Sequence, residues 1–81
     1  MAAIDWSAVE RVTFFKRDEL TTDLVCCEID GGTRQWLFHE EMRGWTVLQA
    51  RLATLPGFRG DWFVHVSQPA FAASSFLAYA R

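Results

Sequence analysis

The chain contains a single lysine, Lys16, against seven arginines, and its basic residues are spread along the chain, with Lys16-Arg17 the one adjacent pair. With ten acidic residues the net charge is −2 and the isoelectric point about 5.5. That balance argues against non-specific nucleic-acid binding, which rests on a basic patch. Cysteine is scarce too. The two thiols, Cys26 and Cys27, are adjacent, so no disulfide framework can be drawn. No apolar run approaches the roughly 20 residues that a membrane-spanning helix needs. The opening residues Met1 to Trp6 have neither a basic stretch nor an apolar core of the signal-peptide kind. The expectation is a soluble, cytoplasmic protein with reduced thiols and no membrane partner. Repeats, low-complexity stretches and linkers are also missing, which leaves one small domain over 1–81 with a lead-in segment at 1–7.

Apolar and aromatic residues are what the chain has in quantity. Hydrophobic residues make up 51% of the 81 positions and aromatics 15%, with four Trp and seven Phe. A chain this short hides only about 60–65% of its unfolded surface. Each buried Phe or Trp removes about 150–250 Å² from water, so the aromatics are the means by which a small core can be built.

The apolar residues recur with recognisable periods. Val9 to Lys16, Asp23 to Asp30 and Arg34 to His39 are rich in β-branched and aromatic residues and read as strands. Arg17 to Thr22 is a polar turn. Gly31-Gly32 is a two-residue hairpin signal. Under that turn Asp30 faces Thr33, Ile29 faces Arg34, Cys27 faces Trp36 and Val25 faces Phe38. One face of the hairpin then carries Val25, Cys27, Ile29, Trp36 and Phe38, a core side, to which the first strand adds Val12 and Phe14. The other face carries Arg11, Thr13, Phe15, Leu24, Cys26, Glu28, Gln35, Leu37 and His39. Met42, Trp45, Leu48, Leu52 and Leu55 are spaced as one helical stripe. Glu40 and Glu41 are expected near its start, favoured by the helix dipole, and Pro56-Gly57 at its end. Asp61 to Gln68 fits both a strand and a helical turn capped by Asp61. It is taken as a short helix stopped before Pro69. Ser75 to Ala80 reads as the last strand, with Phe76, Ala78 and Ala80 on one side and Leu77 and Tyr79 on the other. The order β-β-β-α-(α)-β predicts an α+β fold, an antiparallel sheet of about four strands with helices packed on one face.

Catalytic patterns are sparse. His39-Glu40-Glu41 lacks the second histidine, four residues on, that a zinc-protease helix requires. Cys26 and Cys27 would point to opposite faces of a strand and cannot readily chelate one ion. Of the two, Cys26 is the one expected to be reachable, and a nucleophilic role would need a base beside it. Asp18, Glu19 and Asp23 fit no calcium loop. The glycines of Leu55 to Trp62 (LPGFRGDW) lack the lysine of a phosphate loop. No metal site and no cofactor are expected.

Several stretches carry a resemblance. Arg17-Asp18 with Thr21-Thr22-Asp23, Phe38-His39-Glu40-Glu41 with Gly44-Trp45, and Leu55-Pro56-Gly57-Phe58 with Asp61-Trp62-Phe63 resemble a family of small uncharacterised bacterial proteins, mainly proteobacterial. The likeness runs from about Val9 to Arg81. It implies a stand-alone single domain and brings no activity with it.

The residues therefore point to association rather than chemistry. The leading expectation is a protein-interaction or oligomerisation module, with a protein partner or a homodimer. Phe15, Leu24, Cys26 and Leu37 would form an apolar contact surface on the second face, with Arg11 and Gln35 at its rim. The rival expectation is a small-ligand or enzyme site where Asp18 and Asp23 approach His39 and Glu40.

Overall fold

The computed structural model of the chain describes residues 4–18, 23–67 and 74–81. A short 3₁₀ turn, Trp6–Ala8, leads into β1 (Arg11–Asp18), β2 (Asp23–Asp30) and β3 (Gln35–His39). Then come α1 (Trp45–Leu52), α2 (Trp62–Ser67) and β4 (Ser74–Ala80). The strands form one open antiparallel sheet in the order β3-β2-β1-β4, so the architecture is α+β.

The core lies on one face of this sheet. Val12 and Phe14 of β1, Val25, Cys27 and Ile29 of β2, and Trp36 and Phe38 of β3 are buried there with Leu48, Leu52 and Val66 of the helices. Phe14 is its centre. Its ring stacks on Trp62 at 3.7 Å between centroids and meets Trp45 and Phe58 edge-on at 6.3 and 6.2 Å. Such aromatic pairs add about 0.5–1.5 kcal/mol each beyond their buried area. The same alternation carries Lys16 inward. Its side chain is only 3% exposed, and its Nζ donates to the Ser67 carbonyl at 3.1 Å, at the end of α2 where a cation suits the dipole.

The β2–β3 register differs from the two-residue hairpin expected from Gly31-Gly32. Asp30 faces Gln35, Ile29 faces Trp36, Cys27 faces Phe38 and Cys26 faces His39. The connection is four residues long. The Gly31 N–H donates to the Arg34 carbonyl at 2.8 Å, and the Asp30 carboxylate accepts the Gly32 N–H at 2.9 Å, with Gly32 at φ 86°. The slip is two residues, so every side chain keeps its face. The core list survives while each cross-strand partner changes.

Three further expectations shift. Helix α1 starts at Trp45, behind Gly44 at φ 90°, so Glu40 and Glu41 lie in the preceding turns and no acid occupies the first helical turn. Met42 and Leu55 flank the helix and still pack against the core. The lead-in also contributes, because Ile4 and Trp6 pack on the core and the Arg51 guanidinium lies 5.2 Å from the Trp6 ring. In β4, Val12 pairs with Tyr79 but Thr13 pairs with Leu77, so Ala78 is an extra, bulged residue. The bulge breaks the simple alternation, leaving Ala78 buried and Tyr79 packed on the core while Ala80 is exposed. The segment from Asp61 onward is helical as expected. Gln68 and Pro69 lie outside the described residues, as do positions 19–22 of the first turn.

Candidate interaction surface

The second face of the sheet is built by the residues that alternate with the core. Read across β4, β1, β2 and β3, one row is Ser75, Phe15, Cys26 and His39. The next is Leu77, Thr13, Glu28 and Leu37, and the last is Ala80, Arg11, Asp30 and Gln35. Leu24 sits on the same face, opposite Arg17. The buried residues of both helices belong to the opposite face.

Exposure on this face is uneven. Leu37 is 59% exposed at one edge and Leu77 49% at the other. Phe15, Leu24 and Thr13 are half-buried between them. Gln35 and Arg11 are exposed at one end. There Arg11 Nη2 bonds Asp30 Oδ2 at 2.6 Å. That hydrogen bond, helped by the Gly32 N–H, holds the Asp30 carboxyl below its ordinary pKa, and the same partner raises Arg11. Cys26 is different from its expectation as a reachable residue. It is 2% exposed, set between Phe15 and His39 in the register, and its Sγ faces the Leu24 carbonyl at 3.8 Å. It forms the floor of the surface, because a small side chain between two larger ones is shaded by both.

The polar alternative is arranged for structure. His39 Nδ1 accepts the Glu41 N–H at 3.2 Å, and the His39 backbone N–H meets Met42 Sδ at 3.3 Å. Glu40 Oε1 accepts the Val25 N–H at 3.1 Å, while the Glu40 N–H donates to the Val25 carbonyl at 3.0 Å. Both side chains are thus committed to ending β3. Asp18 and Asp23 face each other at the last rung of the β1–β2 ladder, at the same end of the sheet, and their side chains lie outside the described positions. Among the described residues no group of three His, Cys, Asp or Glu is placed to hold a metal, and no helix is long and apolar enough to cross a membrane.

Two features lie outside the sequence-based assignments. Leu77 joins the second face, which only the β4 register reveals. Around α2, Asp61 accepts from Arg59 Nε at 3.1 Å and Nη2 at 2.9 Å, and its Oδ2 lies 3.1 Å from His65 Nε2. His65 stacks flat on Phe76 at 4.5 Å, and the Arg59 guanidinium lies 5.2 Å from the same ring. The four-residue spacing of Asp61 and His65 was the available signal. Hydrogen bonds from Arg59 and then His65 bring the Asp61 carboxyl down to about 2. The network is solvent-exposed, so its contribution to stability is small. No family model, curated protein or solved structure matches the chain.

Proposed function

We propose that the domain is a non-catalytic interaction module that binds an apolar protein surface through the second face of its sheet. The observation that carries this reading is the row in which Leu37 and Leu77 stand exposed at the two edges of a sheet whose core is on the other side. Thr13 and Glu28 lie between the two leucines, and Phe15 and Leu24 add half-buried apolar area in the following rows, over the floor made by Cys26, with Arg11 and Gln35 as a polar rim. Apolar residues grouped on one face inside a polar rim are a feature of partner sites. The polar set of Asp18, Asp23, His39 and Glu40 has less behind it, since its histidine and glutamate already serve backbone amides.

The test uses two matched variants. Leu77→Glu places a charge on the face. Val47→Glu places one on α1, where Val47 is even more exposed and away from the sheet. A heterologous partner captured by the wild-type domain and by Val47→Glu, but lost with Leu77→Glu, is the expected result. Capture that is unchanged by Leu77→Glu removes the proposal.

A further inference from the structure

The two edges of the sheet are treated differently by the fold. β4 is guarded. It carries the bulge at Ala78, and the Ala78 carbonyl is taken by the Arg59 N–H at 2.7 Å. Bulges and covering loops are the usual means of blocking an edge against further pairing. Among the described residues β3 carries no bulge, and only its His39 end is covered, by the turn that brings Met42 onto it. Its five residues, Gln35 to His39, are regular and contain no lysine, arginine, carboxylate or proline.

The hydrogen-bond pattern shows which β3 groups are open. The Gly31 N–H donates to the Arg34 carbonyl, and the Glu40 N–H to the Val25 carbonyl, in the register that pairs Ile29 with Trp36. Bonding alternates along an antiparallel strand, so Arg34, Trp36, Phe38 and Glu40 turn their backbone groups toward β2. Gln35, Leu37 and His39 turn theirs outward. His39 is already satisfied by Met42, whose N–H donates to its carbonyl at 3.0 Å and whose sulfur receives its N–H. The N–H and C=O of Gln35 and Leu37 remain, on two exposed residues, without a strand beside them among the described residues.

We infer that β3 pairs antiparallel with β3 of a second copy of this chain, with Gln35 opposite the second copy's Leu37. This register, with its two-fold axis at Trp36, joins all four open groups in four hydrogen bonds and leaves the His39–Met42 turn undisturbed. Charge favours the antiparallel sense and an identical partner. β3 begins after the exposed cation Arg34 and ends at Glu40 and Glu41, which are both exposed. Across the axis the Arg34 end of one copy lies beside the Glu40–Glu41 end of the other. Arg34 is held 5.1 Å over the Trp36 ring and Glu40 Oε1 accepts the Val25 N–H, so the complementarity is one of strand ends, and Glu41 is the carboxylate without a side-chain bond among the described residues. A parallel copy would instead bring the two arginines together. The result is a continuous eight-stranded sheet with closed two-fold symmetry. The inference goes beyond the proposed face, because it uses an edge and leaves Phe15, Leu24 and Leu77 free for another partner.

Analytical ultracentrifugation at micromolar concentration is expected to give twice the 9.3 kDa mass of the monomer. Leu37→Pro removes an N–H that points away from β2, so the internal ladder keeps its bonds. This variant should sediment at 9.3 kDa with its far-ultraviolet circular dichroism retained. Leu77→Glu should stay dimeric, which separates this inference from the proposed face. A second measurement reads the register in chains with an unaltered backbone. Gln35→Cys mixed with Leu37→Cys should form a disulfide-linked heterodimer, since a hydrogen-bonded cross-strand pair has a Cα separation of about 5.5 Å, within disulfide range. Each variant alone should not cross-link. A wild-type chain that stays monomeric into the millimolar range overturns the inference. So does a link formed by Leu37→Cys alone, or no link at all.

Discussion

At the scale of single residues, the adjacent cysteines show how alternation separates two environments. Cys27 enters the core and Cys26 the floor of the second face, although one peptide bond joins them. Burial, with smaller contributions from Cys26 and Glu28, pushes the Cys27 thiol from 9.0 up to about 12. The folded state therefore favours the protonated thiol more strongly than the unfolded chain does. Its contribution is whole below pH 9.0 and is lost as the pH rises toward about 12. Urea unfolding followed along that range should show stability falling with pH, and Cys27→Val should make the fall shallower. An identical slope in the variant would show that the thiol takes no part. Lys16 follows the same alternation into the core, where its long apolar stem is covered and its amine reaches the end of α2.

At the scale of elements, the β2–β3 connection is set by a contact that no turn rule contains. A Cβ built on Gly31 would stand 2.8 Å from Cζ3 of Trp36, so the glycine is needed for close approach to the indole; its neighbour Gly32 is the one with positive φ. Gly31→Ala should destabilise by about 1–3 kcal/mol, the usual range for overpacking, and should alter the near-ultraviolet dichroism of the indole. Equal stability in the variant would mean that Trp36 can move aside freely. This contact also explains what could be read from the sequence. Strand and helix identities follow from local period, and the β2 bounds, the inward apolar residues on β1 to β3 and the apolar stripe through α1 were legible, whereas β1 runs Arg11–Asp18 rather than Val9 to Lys16 and the inward Lys16 was not placed. Partner choice across the turn depends on the indole, on Asp30 accepting from Gly32 and on Arg11 reaching Asp30, contacts between distant parts of the chain. The same holds for the bulge at Ala78, which is anchored by Arg59 and hid Leu77 from the candidate face. Met42 and Leu55 kept the stripe on the core while lying outside the helix, because turns as well as helical residues can present a side chain to it. Of the surface residues, Phe15, Leu24 and Leu37 were placed by alternation alone. The burial of Cys26 needed the register, which sets it between Phe15 and His39.

At the scale of the whole molecule, the described residues form one sheet with its core cluster on one face. A domain of this length has a total stability of roughly 4–12 kcal/mol on the usual per-residue scale. The core that supplies it is single and centred on Phe14, which joins β1 to both helices and to the loop between them through Trp45, Trp62 and Phe58. Truncating a buried phenylalanine costs about 3–5 kcal/mol, a large share of that total. Phe14→Ala should therefore unfold a substantial fraction of the chain at physiological temperature, in one transition seen alike by tryptophan fluorescence and far-ultraviolet dichroism. Phe15→Ala, one residue on but on the other face, removes a half-buried ring that is not part of the core cluster and should cost much less. The comparison matters because both substitutions delete the same atoms from the same strand. Equal costs would mean that the second face carries a core of its own, and the reading of that face as a contact surface would fall with it. A large difference would leave Phe15 on an outer surface that folding does not require, which is the condition for a residue kept for a partner.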